Sequence, residues 1–313
     1  MSPTSTLKHA ITLAIGLPIC RLPWLRSYKD YLLSTWTNPE RRSKLDHFFF
    51  RAVFAYWLER EYLKEEDPDK RESMKSPLMG GDAGEVWASH YADQPIDLEE
   101  RIGHMSYKEA CPLLPDIDKA LAAEGEPALV VQIGSSSGRE IAWLAGRHPK
   151  HTFIGTDIFQ KVIDYSAGKH NGANLSFRLF SAQKIGDLLE SRRDERIIVF
   201  ASGSLQYVQP EHLEIFFARI NRFPNLRLYV LEPATEALMN THEKLRRKEG
   251  RKEGRSPSLY AGNLSYCHDY RAYAERARMN TILCEIIRPY APYEDFPEHR
   301  GTVHYYHQAK AAS

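Results

Sequence analysis

The spacing of apolar residues changes character near residue 128. Before that point, apolar side chains recur at helical spacing, most clearly in a wide stripe that starts after Asn38-Pro39-Glu40 and runs to about Glu66. Asparagine followed by proline and an acid is a typical helix start, so the pattern predicts a long helix from that point. Residues 1–122 are therefore expected to form a helical N-terminal region.

From Ala128 onward, short apolar runs alternate with helical stretches. The predicted strands cover 128–133, 152–157, 175–180, 196–201, 226–232, 281–288 and 302–308. The predicted helices between them cover 139–147, 160–169, 210–221 and 270–279. Such alternation favours a mainly parallel sheet with helices on both faces, and the last two strands, joined by a loop alone, favour an antiparallel end. The pattern predicts an α/β, Rossmann-like, doubly wound, seven-stranded fold with an antiparallel last strand over residues 123–313.

Composition narrows the class of protein further. Lys and Arg total 42 and Asp and Glu total 41, so the chain lacks the basic excess with which proteins bind nucleic acid, and we expect no such partner. Cys20, Cys111, Cys267 and Cys284 are far apart and form no CxxC pair, which indicates reduced thiols in a cytoplasmic protein and predicts no metal site. No apolar run reaches the ~20 residues of a membrane span.

The clearest chemical signal is a turn of small residues between a strand and a helix. It reads Gly134-Ser-Ser136-Ser-Gly138, and Asp157 ends the next predicted strand. Small residues let the backbone approach a ligand, and the N-terminus of the following helix presents N–H groups to it. A carboxylate at the tip of the second strand is placed to accept hydrogen bonds from ribose hydroxyls.

Three interpretations of this turn are open. A dinucleotide site requires G-x-G-x-x-G, but Ser136 and Arg139 stand at its second and third glycine positions. The turn also fits G-x-S-x-G, the nucleophile elbow of α/β serine hydrolases, with Ser136 as the nucleophile. The oxyanion segment that such enzymes carry upstream has only a weak counterpart here, Met79-Gly-Gly81. The third interpretation is a turn that binds an adenosyl group.

Residues 128–308 resemble a class I S-adenosylmethionine-dependent methyltransferase domain. In that family a strand ending in an acid precedes x-G-x-G-x-G; here Gln132 replaces the acid and Ser136 the middle glycine. The resemblance implies S-adenosyl-L-methionine as the cofactor, with Asp157 on the ribose and Ser181 beside the adenine. The cofactor-binding residues that it implies are Gln132, Gly134, Ser135, Ser136, Gly138, Asp157, Ile158, Ser181, Ala182, Ser202 and Gly203.

The acceptor side of such a site is expected at the ends of the fourth and fifth strands. Residues 202–208 and Leu231-Glu232-Pro233 resemble the corresponding segments of small-molecule methyltransferases. The resemblance implies in-line methyl transfer to a small-molecule acceptor. The catalytic candidates are Tyr207 and His268, the latter as a general base for an acceptor that arrives protonated. A catalytically silent module that binds an adenosyl ligand on the same fold is a further alternative.

Two other segments bear on partners. Aromatic residues crowd positions 24–62, and we expect them to line an acceptor pocket or to mediate a homodimer through the N-terminal helices. The basic run 244–255 is interpreted as a solvated loop, with a lid that attracts an anionic substrate as the alternative.

Overall fold

The computed structural model describes residues 3–35, 42–80, 113–233, 258–260, 265–287 and 301–308. Gly81, Cys111 and the basic run 244–255 lie outside the described residues. The chain divides into two compact units, Met1–Trp87 with Arg247–Arg251, and Ala88–Arg246 with Lys252–Ser313. None of the helices in the described ranges combines the length and the hydropathy that a membrane span requires.

The described part of the first unit is helical, as the apolar spacing predicts. Its helices are α1 (Pro3–Arg21), α2 (Arg26–Ser34), α3 (Lys44–Arg60) and α4 (Pro68–Gly80). Helices α1 and α3 approach closely at Gly16, where a Cβ atom would lie 2.2 Å from the carbonyl oxygen of Ala52. Val53 and Trp57 of α3 are buried in this unit. The absence of a side chain at Gly16 thus allows the two helices to pack.

Helix α3 begins later than the sequence pattern predicts. Ser43 is its N-cap: the Ser43 Oγ accepts a hydrogen bond from the Asp46 N–H at 3.1 Å, and the Asp46 carboxylate accepts one from the Ser43 N–H at 3.3 Å. This reciprocal pair satisfies two N–H groups that a helix start leaves without intrahelical partners. Arg42 and Ser43 are not helical, so the predicted helix does not run without interruption from Asn38-Pro39-Glu40, which lies outside the described residues.

The second unit is built on a seven-stranded sheet with the order β3-β2-β1-β4-β5-β9-β8. The strands are β1 (Ala128–Ile133), β2 (Thr152–Asp157), β3 (Leu175–Leu179), β4 (Arg196–Ser202), β5 (Leu226–Pro233), β6 (Ser258–Tyr260), β7 (Ser265–Cys267), β8 (Met279–Ile287) and β9 (Gly301–Gln308). Strands β1 to β5 are parallel to one another, and β9 runs antiparallel to both β5 and β8. Strands β6 and β7 form a separate antiparallel pair that the sequence pattern does not predict.

Helices cover both faces of this sheet. They are α5 (Leu113–Ala123), α6 (Arg139–Arg147), α7 (Gln160–Lys169), α8 (Ile185–Leu189), α9 (Pro210–Ile220) and α10 (Tyr270–Arg276). Leu129 and Val131 of β1 belong to one buried cluster, with residues of α8, α9 and α10, whereas Val130 belongs to another, with residues of α5 and α6. Burial on both faces explains why the first four residues of β1, 128–131, are all apolar. The predicted α/β, Rossmann-like fold with a parallel core is confirmed.

Helix α5 packs with the sheet. Its residues Leu113, Leu114, Ile117 and Leu121 are buried in the same cluster as Val130 of β1. The apolar pattern alone predicts this helix as part of the N-terminal region, because it shows which side of a helix is apolar but not what that side packs against. The sheet unit therefore begins before the predicted boundary at residue 122.

The assignment of α5 to the sheet unit predicts the effect of Ile117→Ala. The substitution removes buried methyl and methylene groups, which typically costs ~2–5 kcal/mol. We expect faster hydrogen exchange at the β1 amides in the variant, measured by mass spectrometry. Lys119→Ala, on the exposed side of the same helix, is the matched control and leaves exchange unchanged. A folded Ile117→Ala protein with the exchange of the parent at β1 would contradict the assignment.

Candidate functional site

The turn after β1 requires its glycines. The backbone φ angle is +65° at Gly134 and +75° at Gly138, in the left-handed region that favours glycine. Ser136 also has a positive φ of 47°. A Cβ atom at Gly134 would lie 2.4 Å from the Cβ atom of Ser204, so the segment after β4 lies directly against the turn. Gly134 thus lets the segment after β4 pack against the turn, whereas a Cβ atom at Gly138 would collide with the Phe177 ring at 2.7 Å.

Asp157, at the end of β2, holds the same turn from the other side. Its Oδ2 accepts a hydrogen bond from the Ser136 N–H at 3.2 Å, and its Oδ1 accepts one from the Phe159 N–H at 3.2 Å. Burial raises the pKa of the Asp157 carboxyl to about 6, and the backbone donors partly oppose that rise. Each carboxylate oxygen has two lone pairs, so Asp157 keeps acceptor capacity for a ligand.

The residues expected around an adenine follow Asp157 and β3. Ile158 exposes 47% of its side chain and provides an apolar surface beside Asp157. The Phe180 N–H donates to the Asp157 carbonyl oxygen at 2.9 Å, which joins the ends of β2 and β3. Ser181 and Ala182 come next, and the Ala182 side chain is buried in the core. A ligand would therefore meet residue 182 through its backbone.

A buried carboxylate fixes the segment after β4. Glu232 is fully buried in β5; its Oε1 accepts from the N–H groups of Ser204 at 2.9 Å and Leu205 at 2.8 Å, and its Oε2 accepts from Gln206 at 3.2 Å. Burial raises the pKa of Glu232 to about 8, against the effect of these three donors. The contacts hold the start of the short turn that carries the half-buried candidate Tyr207. This role of Glu232 was not predicted from the sequence, although the segment Leu231-Glu232-Pro233 was expected at the acceptor side.

Ser202, Gly203 and Ser204 join three strand ends. Gly203 has a φ of +66°, and its N–H donates to the Leu231 carbonyl oxygen of β5 at 2.8 Å. The Ser204 Oγ donates to the Ile133 carbonyl oxygen of β1 at 2.8 Å. Ser202 and Gly203 were predicted site residues, whereas Ser204 was not, because its contacts come from residues distant in the chain.

Gln132 carries a polar side chain into the interior at the end of β1. It is 2% exposed, and its Nε2 donates to Oε2 of Glu140, in the first turn of α6, at 2.6 Å. Its Oε1 is buried and has no hydrogen-bond partner within the described part of the chain. A buried acceptor without a hydrogen-bond donor costs ~1–3 kcal/mol of stability, and a ligand that donates a hydrogen bond to this oxygen would remove that cost. Glu140 was not among the predicted site residues.

His268 occupies a different setting from the one a general base needs. It is 1% exposed, and its Nε2 lies 3.0 Å from the Val208 carbonyl oxygen, which accepts the hydrogen bond. Its ring packs beside those of Tyr266 and Tyr270. These contacts make His268 a buried support of the chain just after Tyr207. A sequence pattern gives the ordinary chemistry of a histidine but not this burial.

The remaining candidates lie along one edge of the sheet. Strand β1 stands between β2 and β4, and parallel strands end at the same edge. In open α/β sheets, ligands bind in the crevice outside the carboxyl ends of the strands. Within the described ranges, no group of three or more His, Cys, Asp and Glu side chains is arranged to hold a metal ion.

Comparisons with solved structures identify the fold. The chain is similar to magnesium protoporphyrin IX methyltransferase from Synechocystis PCC 6803 with bound SAH, at 14% identity and a TM-score of 0.51, covering 76% of this chain and 100% of that chain. It is also similar to 1,6-didemethyltoxoflavin-N1-methyltransferase from Burkholderia thailandensis, at 13% identity and a TM-score of 0.47, covering 79% and 92%. No family model and no curated protein matches the chain.

The first of these likenesses shows that the chain has the fold of class I S-adenosylmethionine-dependent methyltransferases. The comparisons give no support to the serine hydrolase interpretation of the turn.

The close contact at Gly134 predicts a stability difference between two glycine substitutions. Gly134→Ala adds a Cβ atom that collides with Ser204 and forces a left-handed alanine, so we expect a loss of at least ~1 kcal/mol in the free energy of unfolding. Gly146→Ala adds a Cβ atom in helix α6 with nothing within 4 Å and should be neutral or stabilising by up to ~1 kcal/mol. Thermal unfolding measures both. Equal melting temperatures would contradict the packing at Gly134.

The raised pKa of Glu232 predicts how stability depends on pH. Its pKa rises from 4.5 to about 8 on folding, so between these values the folded state holds a proton that the unfolded state has released. Stability from this group therefore falls as pH rises through that range. We therefore expect the urea midpoint of the parent to fall relative to that of Glu232→Gln between pH 5.5 and pH 8.5, as followed by circular dichroism. Parallel curves would show that Glu232 does not titrate there.

Proposed function

We propose that the chain is an S-adenosyl-L-methionine-dependent methyltransferase that transfers a methyl group in line to a small-molecule acceptor. The observation that carries this proposal is the bond between Asp157 and the glycine turn, at the edge where a class I methyltransferase fold opens its crevice. The similar Synechocystis protein is a methyltransferase with bound SAH, which supports the same ligand class here.

The proposed cofactor lies across the ends of β2, β1 and β4. Asp157 accepts hydrogen bonds from the ribose hydroxyls, while Ile158 and the backbone at Ser181 flank the adenine. The turn between Gly134 and Gly138 lets the backbone approach the middle of the molecule, because no side chain projects from either glycine. The methionine part then extends over the end of β1.

Methyl transfer needs positioning more than acid or base chemistry. A lone pair of the acceptor attacks the methyl carbon opposite the carbon–sulfur bond, and the electrons of that bond pass to the sulfur. The leaving sulfur becomes neutral, so the protein must align donor and acceptor and exclude water. Tyr207 stands at the acceptor side of this edge, on a turn that Glu232 fixes, and we assign it the role of orienting the acceptor.

The N-terminal unit exposes several large apolar residues. Leu7, Ile11 and Trp24 are 63%, 50% and 75% exposed. A homodimer through the N-terminal helices would bury this surface.

We also propose that the protein is cytoplasmic and has no nucleic-acid partner. The cysteine spacing supports the first statement and the balance of basic and acidic residues supports the second.

The role of Asp157 predicts the behaviour of Asp157→Asn. The variant loses the charge-assisted bonds to the ribose, so we expect its Kd for S-adenosylhomocysteine to rise about 10- to 100-fold in isothermal titration calorimetry. The affinity of the parent should also fall as pH drops below about 6, because Asp157 then takes up a proton; the variant should lack this dependence. Asp164→Asn, on the exposed face of α7, is the control. An unchanged Kd in folded Asp157→Asn would remove Asp157 from the site.

Transfer itself requires a second measurement. We expect labelled methyl from S-adenosylmethionine to enter the low-molecular-weight fraction of a cell extract with the parent protein and at a much lower rate with Asp157→Asn. A catalytically silent binding module would bind S-adenosylhomocysteine equally well and yield no labelled product.

A further inference from the structure

The exposed side of helix α1 is apolar along its length. Among the side chains of α1 that the structure describes, those exposed before Arg21 are all apolar and recur at helical spacing. They form what we call the apolar face of α1: Leu7, Ala10, Ile11, Ala14, Leu17 and Pro18. The opposite side packs within its own unit, where Gly16 lies against Ala52 and Ile19 is buried. A helix on the surface of a globular domain normally exposes polar residues, so an apolar face in this position is expected to bind a partner.

The apolar surface continues beyond the end of this helix. Leu22 and Trp24 follow α1 before α2 begins, and both are exposed. Trp24 is the most exposed large apolar residue in the described part of the chain. Tryptophan is enriched where a bilayer meets water, because its ring is apolar and its N–H group can donate a hydrogen bond. The end of this surface therefore carries a residue type that is typical of a lipid interface.

The charged residues of this segment are all basic. Residues 1–29 contain no Asp or Glu, and their basic residues are Lys8, Arg21, Arg26 and Lys29. Lys29 pairs with Glu61 at 2.7 Å. Arg21 donates to the neutral hydroxyl of Tyr56 at 3.0 Å, a bond that leaves its charge in place, and Arg26 is exposed. Basic residues beside an apolar face are attracted to anionic lipid headgroups.

We propose that the apolar face of α1, together with Leu22 and Trp24, binds the surface of a bilayer that contains anionic phospholipid. The helix lies in the plane of the interface, with its apolar face towards the lipid and α3 on the opposite side. Its 19 residues extend over about 28 Å along that plane. No helix in the described ranges qualifies as a membrane span, so this is binding to the surface of the bilayer.

A second copy of the chain is the competing occupant of this face. In a two-fold homodimer the same patch of both copies meets itself. Such a contact would bring the basic residues of both segments together, and residues 1–29 supply no acid to neutralise them. An anionic bilayer supplies the opposite charge over the whole surface. Charge complementarity therefore favours the lipid.

Vesicle sedimentation of the full chain tests the proposal. We expect binding to vesicles of phosphatidylcholine and phosphatidylglycerol in equal amounts, and at least about tenfold weaker binding to phosphatidylcholine alone. Raising NaCl from about 0.1 M to about 1 M should weaken binding to the anionic vesicles, because the Debye length falls from ~10 Å to ~3 Å. Ile11→Glu places a charge in the apolar face and should bind anionic vesicles at least about tenfold more weakly than the parent.

Ile215→Glu is the matched control. Ile215 lies on α9 of the sheet unit and is 42% exposed, close to the 50% of Ile11. The substitution changes the charge of the chain equally but leaves the apolar face intact, so vesicle affinity should stay within about twofold of the parent. Thermal unfolding checks that both variants are folded.

The fluorescence of Trp24 tests where the lipid binds. We expect the tryptophan emission of the parent to move to shorter wavelength on anionic vesicles, because the indole enters a less polar environment. Trp24→Phe keeps an aromatic ring at this position and should bind the vesicles within about threefold of the parent, but without most of that change in emission. An undiminished change in emission in Trp24→Phe would contradict the placement of this residue at the lipid.

Three results of the sedimentation experiment would overturn the proposal. The first is a parent protein that does not sediment with anionic vesicles, and the second is an equal loss of binding in Ile11→Glu and Ile215→Glu. In the third, Ile11→Glu converts a dimer into a monomer in analytical ultracentrifugation and leaves vesicle binding unchanged, which would assign the face to a second copy. Cofactor binding is measured separately, so none of these results decides the proposed function.

Discussion

Glu232 places a carboxylate in the interior at the end of β5, and the backbone N–H groups of three successive residues bond to it. A buried carboxyl group is tolerated only when its oxygens are hydrogen-bonded, so these three bonds fix the course of the chain after β4. Ser204, held in this way, lies against Gly134, and the turn that Gly134 opens is bonded through Ser136 to Asp157. The candidate site is therefore one continuous set of contacts from β5 to β2. Its groups are placed before any ligand arrives, which reduces the cost of ordering them on binding.

Local patterns were sufficient for most of the sheet unit. Strands 128–133 and 152–157 and helices 139–147 and 160–169 have the predicted bounds, because short, mainly apolar segments and the turns between them mark these elements directly. The N-cap of α3 was not predicted, since it depends on the reciprocal hydrogen bonds between Ser43 and Asp46. The packing of α5 was not predictable from its own residues, because a local pattern shows that a helix face is apolar but not what covers it.

The residues of the candidate site also fall into two groups, those that the local sequence predicts and those that it does not. Asp157 and the outer glycines were predictable because their roles depend on short-range geometry around a single turn. Glu232, Ser204 and Glu140 were missed or given no role, since their contacts join separate elements; the Ser204 bond to β1 spans 71 positions and the Glu232 bond to Ser204 spans 28. His268, in contrast, was predicted as a catalytic residue from its ordinary chemistry, but the structure buries it among aromatic rings.

The central claim is that the edge formed by β2, β1 and β4 binds an adenosyl cofactor. Hydrogen–deuterium exchange of the full chain, with and without saturating S-adenosylhomocysteine, tests it most directly, because it reports where a ligand changes the protein as well as whether it binds. The prediction is slower exchange at residues 134–138, 157–159 and 202–206, with little change at the β6–β7 pair. Unchanged exchange in those three segments at saturating ligand, or protection confined to the N-terminal helices, would contradict the assignment of the site.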